Sequence, residues 1–104
     1  MKAVCCTNRE LTKEFAKLAK FLRIIGEDNR LKILCLLKDS DLCVCELVEN
    51  LALPQNLIST HLKALKDLEL VEKRQEGKRI YYSINRNTFK KHNSLLTNFL
   101  KNYE

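Results

Sequence analysis

Apolar residues recur at alternating steps of four and three in the first quarter of the chain, where Leu11, Phe15, Leu18, Leu22 and Ile25 make one stripe. This spacing predicts a helix, opened by the capping-box pattern Thr7-Asn8-Arg9-Glu10 and closed at Gly26. Between Glu27 and Lys38 the apolar residues Leu31, Ile33, Leu34, Cys35, Leu36 and Leu37 fall on nearly all sides, so a second helix belongs in the core, with Cys35 as a small buried hydrophobe. Ser40 or Asp41 can cap a short third helix through Leu51. Leu53-Pro54 then breaks the pattern, with Pro54 suited to the first turn of a fourth helix.

In that fourth helix Ile58, Leu62 and Leu65 share one side, while Asn56, Ser59, Thr60 and Lys63 point away. Two short helices across a tight turn are a helix-turn-helix candidate. The period changes after Glu69: Leu70 to Arg74 and Arg79 to Ile84 are rich in β-branched and aromatic residues, and Gln75-Glu76-Gly77-Lys78 supplies a glycine turn, which predicts a β-hairpin. From Asn87 helical spacing returns, with Phe89, Leu96, Phe99, Leu100 and Tyr103 on one stripe. The expected fold is mainly α with a small β-hairpin, in the order of a winged helix. Residues 1–104 form one domain, with terminal helices over 7–26 and 87–103, the helix-turn-helix over 41–69 and the wing over 70–84. The stripes on the terminal helices cover the core or serve as a dimer interface.

Length and composition narrow the functions open to such a fold. A chain of 104 residues buries only part of its unfolded surface, so a second copy would help it. The formal charge of +6 points to a polyanionic partner. The longest apolar run, Ile33 to Leu37, is far too short to cross a bilayer, and Met1 to Cys6 lacks the apolar stretch of a signal peptide; a cytoplasmic protein with no membrane partner is expected. Five cysteines in that compartment are expected to be reduced, which favours thiol or metal chemistry over a disulfide scaffold.

The exposed side of the fourth helix is short, polar and free of acid until Asp67. A helix entering the major groove needs such small donors and acceptors near its N-terminus to reach base edges. The hairpin concentrates Lys73, Arg74, Lys78 and Arg79 against Glu76, as expected of a protrusion lying along phosphates. Each part alone reads as a solvated face or a charged turn. Their succession, helix-turn-helix then basic hairpin, is much more specific.

Asp28 to Leu34, Leu42-Cys43-Val44-Cys45-Glu46-Leu47, Gln55 to Leu65, Glu76-Gly77-Lys78 and Tyr81-Tyr82 together resemble the ArsR/SmtB family of metal-sensing repressors, in the right order from about Leu18 to Ile84. The resemblance implies a homodimer that binds an inverted-repeat operator in double-stranded DNA when metal-free and lets go when an ion binds. By position it assigns groove contacts to Gln55, Asn56, Ser59 and Thr60, beside Lys63, and wing contacts to Lys78 and Arg79. His61 matches a position often held by histidine in that family and lies beside the buried stripe, which favours a structural role.

Cys43 and Cys45 place two soft ligands ahead of the reading helix, and thiolates select thiophilic ions. In a regular helix they would lie roughly 200° apart, so a shared ion requires a distorted first turn. Two thiolates leave a site incomplete. Arsenic-sensing relatives often carry another cysteine three residues on, where this chain has Val48; cadmium- and lead-sensing relatives, and some arsenic sensors, instead recruit N-terminal cysteines, a role that Cys5 and Cys6 fit. His92 stands alone and does not make the family's zinc-type site in the last helix. Three thiolates suit As(III), Sb(III) or Pb(II), and four suit Cd(II) or Zn(II), with arsenite first in order and no organic cofactor. A thiol redox-sensing repressor and a cysteine-based metal buffer without DNA binding are the alternatives. No enzyme is expected; a thiol redox enzyme, the class to exclude, would show Cys-x-x-Cys beside a strand-helix unit, and neither is present.

Overall fold

The computed structural model describes residues 9–104. The expected Thr7 cap, Cys5, Cys6 and the Leu11 side chain lie outside the described residues. The elements are α1 (Arg9–Ile25), α2 (Asp28–Leu37), β1 (Leu42–Cys43), α3 (Val44–Leu51), α4 (Gln55–Asp67), β2 (Val71–Glu76), β3 (Arg79–Ile84) and α5 (Arg86–Leu100), followed by a short 3-10 turn, Lys101–Tyr103. The sheet is antiparallel in the order β1-β3-β2. Gly77 makes the hairpin turn at φ +61, in the left-handed region that a side chain disfavours. Gly26 ends α1 for a different reason: a Cβ there would sit 2.6 Å from the Leu22 carbonyl oxygen.

Leu18 and Phe21 from α1, Ile33 and Leu37 from α2, Leu47 from α3, Ile58, Leu62 and Leu65 from α4, and Leu70 and Val71 at the start of the wing make one buried cluster. The predicted apolar side of α4 is thus the side that packs. Two turns around it use left-handed residues that are not glycine, Ala52 (φ 53) after α3 and Glu69 (φ 59) after α4. Ala52 satisfies the end of α3 by donating its N–H to the Val48 carbonyl at 2.9 Å.

Three sequence expectations are corrected here. Helix α2 is not buried all round: Leu31 is 49% exposed and Cys35 is an exposed free thiol one turn on, so Cys35 is no core hydrophobe. Helix α3 is capped by Cys43 rather than by Ser40 or Asp41. Pro54 occupies the cap position before α4 rather than its first turn.

Helix α5 packs on α1 through aromatic rings: Phe15 and Phe99 lie edge to face at 5.7 Å, and His92 stacks flat on Phe21 at 4.5 Å. The His92 Nδ1 is buried with no hydrogen-bond partner among the described residues. Burial, and then the charges of Lys17 and Lys91, hold the imidazole below its ordinary pKa. The unfolded chain therefore takes up this proton at higher pH than the folded one, so stability falls as pH drops through the ordinary histidine range of about 6.5. His92→Gln is expected to shrink the fall in thermal midpoint between about pH 7.5 and pH 5.5. An equal fall in both proteins would remove His92 as its source.

Candidate nucleic-acid interface and thiol pair

Asn56, Ser59, Thr60 and Lys63 lie exposed on α4, away from buried Ile58, Leu62 and Leu65, and Gln55 is exposed at its first position. The helix has no side-chain cap and no acid in its first turn. Its leading amides and positive dipole end are consequently available to an anion such as phosphate. Thr60 donates its hydroxyl to the Asn56 carbonyl at 2.9 Å, which leaves its oxygen as an acceptor on the outer face.

His61, only 7% exposed, fixes this helix to the first turn of α2. Arg30 Nε donates to His61 Nδ1 at 3.1 Å, and Arg30 Nη1 donates to the Ile24 carbonyl at 3.2 Å. His61 Nε2 lies 3.7 Å from Glu27, whose carboxylate also caps α2 by accepting the Arg30 N–H. The structural reading of His61 agrees with this placement. The partner Arg30 carried no signal in the sequence, because it lies 31 residues away.

The wing cations divide into two groups. Arg74 bonds Asp41 and, at 2.9 Å, Glu76, and lies over the Tyr81 ring at 5.3 Å. Its pKa is pushed above the ordinary value by the hydrogen bond to Glu76 and then by that to Asp41. Lys73, Lys78 and Arg79 are exposed and pair with no acid among the described residues. They are the wing charges free to meet phosphate.

Cys43 and Cys45 are joined in a disulfide, their Cα atoms 5.3 Å apart, which corrects the expectation that they are reduced. The roughly 200° separation of a regular helix does not apply. Cys43 is not helical; it is the cap residue, extended at φ -82 and ψ 164. Its sulfur accepts the Glu46 N–H at 3.4 Å, and Glu46 returns a carboxylate to the Cys43 N–H at 3.1 Å, a capping box with cysteine in the usual serine role. Cys43 is also the last residue of β1, paired with Tyr81 of β3. This two-residue strand was missed in the sequence, being too short to show alternation. Cys45 is exposed, and the pair lines an open cleft of about 240 Å³ together with Gln55 of α4 and Lys78, Arg79 and Ile80 of the wing.

A helix-turn-helix with a free-ended, acid-free second helix, followed by a basic two-stranded wing, is the architecture of a DNA-binding regulator. The model of a bacterial regulatory protein of the arsR family matches residues 27–73. An arsenical resistance operon repressor from Staphylococcus aureus is 38% identical over 71 residues, 68% of either chain. The chain belongs to the arsR family. Among other members, the cadmium resistance regulator CadC of Listeria innocua is 37% identical over 65 residues, 62% of this chain and 55% of that one. The solved structure of reduced HlyU from Vibrio cholerae superposes with a TM-score of 0.72 at 32% identity, covering 85% of this chain and 94% of that one.

This arsR-family chain is a transcriptional regulator and not an enzyme. Among the described residues no helix is long and apolar enough to cross a membrane, and no group of three or more His, Cys, Asp or Glu is placed to hold a metal ion. The thiol pair fits a thiophilic ion in donor type once it is reduced, and it supplies two donors, not a full set.

Proposed function

We propose that this regulator is a metalloid-responsive repressor acting in the cytoplasm, a homodimer that binds an inverted-repeat operator and is released when reduced Cys43 and Cys45 take up trivalent arsenic or antimony. One observation carries this reading: Cys43 is at once the cap of α3 and the β1 partner of Tyr81. A change in what its sulfur bonds acts on the helix-turn-helix through α3 and on the wing through β3. Gln55, at the head of α4, lines the same cleft. The third sulfur in this reading comes from Cys5 or Cys6. The name of the S. aureus relative supports arsenic as the inducer, and the name of the CadC relative supports cadmium as the next candidate.

Dimerisation in this reading uses α1 and α5. Leu22 of α1, Leu100 of α5 and Tyr103 of the 3-10 turn that follows it leave apolar surface exposed, 76% in the case of Tyr103. Two copies then set two α4 helices on successive half-sites. A second reading, a thiol redox-responsive repressor, is favoured by the Cys43–Cys45 disulfide itself. A metal buffer without DNA binding has no use for the free-ended α4 or the unpaired wing cations.

The test is reduced protein bound to a labelled duplex of its own promoter, titrated with arsenite and then, separately, with cadmium. Arsenite is expected to release the DNA. Retention against arsenite, antimonite, cadmium and lead would sink the metal reading, and release by peroxide in chelator-treated protein would establish the redox one. The wing contributes a salt-dependent part that can be read separately. Lys78→Ala and Arg79→Ala are each expected to weaken binding across sequences and to lower the salt slope by about one. Arg74→Ala should lower it less, since Asp41 and Glu76 already offset that charge.

A further inference from the structure

The Cys43–Cys45 disulfide does not stand on a neutral surface. Lys78 and Arg79 of the wing line its cleft, neither paired with an acid among the described residues. Of the nearby acids, Asp41 is paired with Arg74, and Glu46, held on the Cys43 N–H, is not among the residues that line the cleft. The two sulfurs differ in access, because Cys45 is exposed while Cys43 is 2% exposed. They also differ as leaving groups. Charge arriving on the Cys43 sulfur meets the Glu46 N–H and the positive end of α3.

We propose that this cleft is a thiol-disulfide exchange site for a small anionic thiol, with Cys45 as the atom attacked and Cys43 as the leaving group. The incoming thiolate forms a bond to the Cys45 sulfur as the Cys43–Cys45 bond breaks, and that electron pair stays on Cys43 as thiolate. One disulfide is consumed and one mixed disulfide is formed. A second thiolate of the same kind, attacking the outer sulfur of the adduct, leaves as the small-molecule disulfide and returns Cys45 as thiolate. Lys78 and Arg79 hold the carboxylate or sulfonate of the incoming molecule. The exchange itself is independent of the regulatory reading; only its consequence, that it frees the two thiolates proposed to bind arsenic, rests on that reading.

Three probes with the same two-carbon thiol chain isolate the role of charge: mercaptoethanesulfonate, mercaptoethanol and cysteamine, compared at equal thiolate concentration on oxidised protein whose free thiols were first blocked with N-ethylmaleimide. Adducts are followed by mass spectrometry and located by peptide mapping, with no DNA or metal present. The anionic probe is expected to react on the order of tenfold faster than the cationic one, with the adduct on Cys45. The preference should collapse in the doubly substituted Lys78→Gln, Arg79→Gln protein and persist with Lys78→Arg, Arg79→Lys. Both sites are exposed, and circular dichroism checks that each variant is folded. Equal rates for the three probes, a preference unchanged by the glutamine substitutions, or an adduct on Cys43 would overturn the proposal. None of these results would bear on whether the protein binds its operator.

Discussion

Cys43→Ser is expected to abolish arsenite-driven release while leaving the protein folded and able to bind DNA. The two effects separate because Cys43 has two jobs in the structure. As a cap it offers a side-chain acceptor to the Glu46 N–H, and serine is among the best residues for that position. The α3 start, the Glu46 return bond and the pairing with Tyr81 should survive. As a ligand the hydroxyl is a poor donor to a thiophilic ion, and losing one of so few sulfurs should weaken ion binding roughly 100-fold or more, at or beyond the cost of removing an outer-shell partner. Paired measurements of promoter affinity and of arsenite affinity check this. Release that persists in Cys43→Ser would place the ion elsewhere.

Leu62→Ala should produce the largest loss of stability, about 2–5 kcal/mol. Leu62 is fully buried on α4 within the cluster that joins α1, α2, α3 and the start of the wing. Against a total of about 5–15 kcal/mol for a small domain, this approaches unfolding. Denaturant melts give the stability, and duplex binding at reduced temperature gives the function. The expected pattern is that DNA affinity per folded molecule falls less than stability does, because Ser59, Thr60 and Lys63 are untouched. A loss below about 1 kcal/mol would mean that the core around α4 is looser than described.

The fold was largely legible because its main elements carry a helical period or a clear turn signal. The buried side of α4 and the stripe of α5 repeat at 3.6, and the hairpin around Gly77 shows as β-branched and aromatic residues on either side of a glycine turn. What could not be read lacked period or depended on distant partners. β1 has only two residues, and its pairing with β3 links positions nearly forty residues apart. Cysteine is not a customary cap, whereas Ser40 and Asp41 just ahead of it are. Cys35 was placed in the core from the density of apolar residues around it, but α2 leaves the face of Leu31 and Cys35 uncovered.

The candidate site divides in the same way. Which side of α4 is polar followed from the helical wheel, so Asn56, Ser59, Thr60 and Lys63 lie on the expected surface, while Gln55, exposed at the head of the helix, was indicated only by the family resemblance. Which wing cations are free did not, since Arg74 is taken up by Asp41 from a different part of the chain. The disulfide was the least accessible feature. Cell compartment argued for reduced thiols, whereas the pairing depends on Cys43 being extended and only Cys45 being helical.

The central claim is that the Cys43–Cys45 pair and the DNA-reading surface are energetically coupled through one capped strand-helix junction. It is tested most directly by a closed thermodynamic cycle on the reduced protein: arsenite affinity measured with and without saturating operator duplex, and operator affinity measured with and without saturating arsenite. Coupling between two sites must be reciprocal. Arsenite is expected to weaken operator binding, and the operator to weaken arsenite binding, by the same factor, between about fivefold and 150-fold. Arsenite affinity that is unaffected by the operator, with the protein fully bound to both, would contradict it.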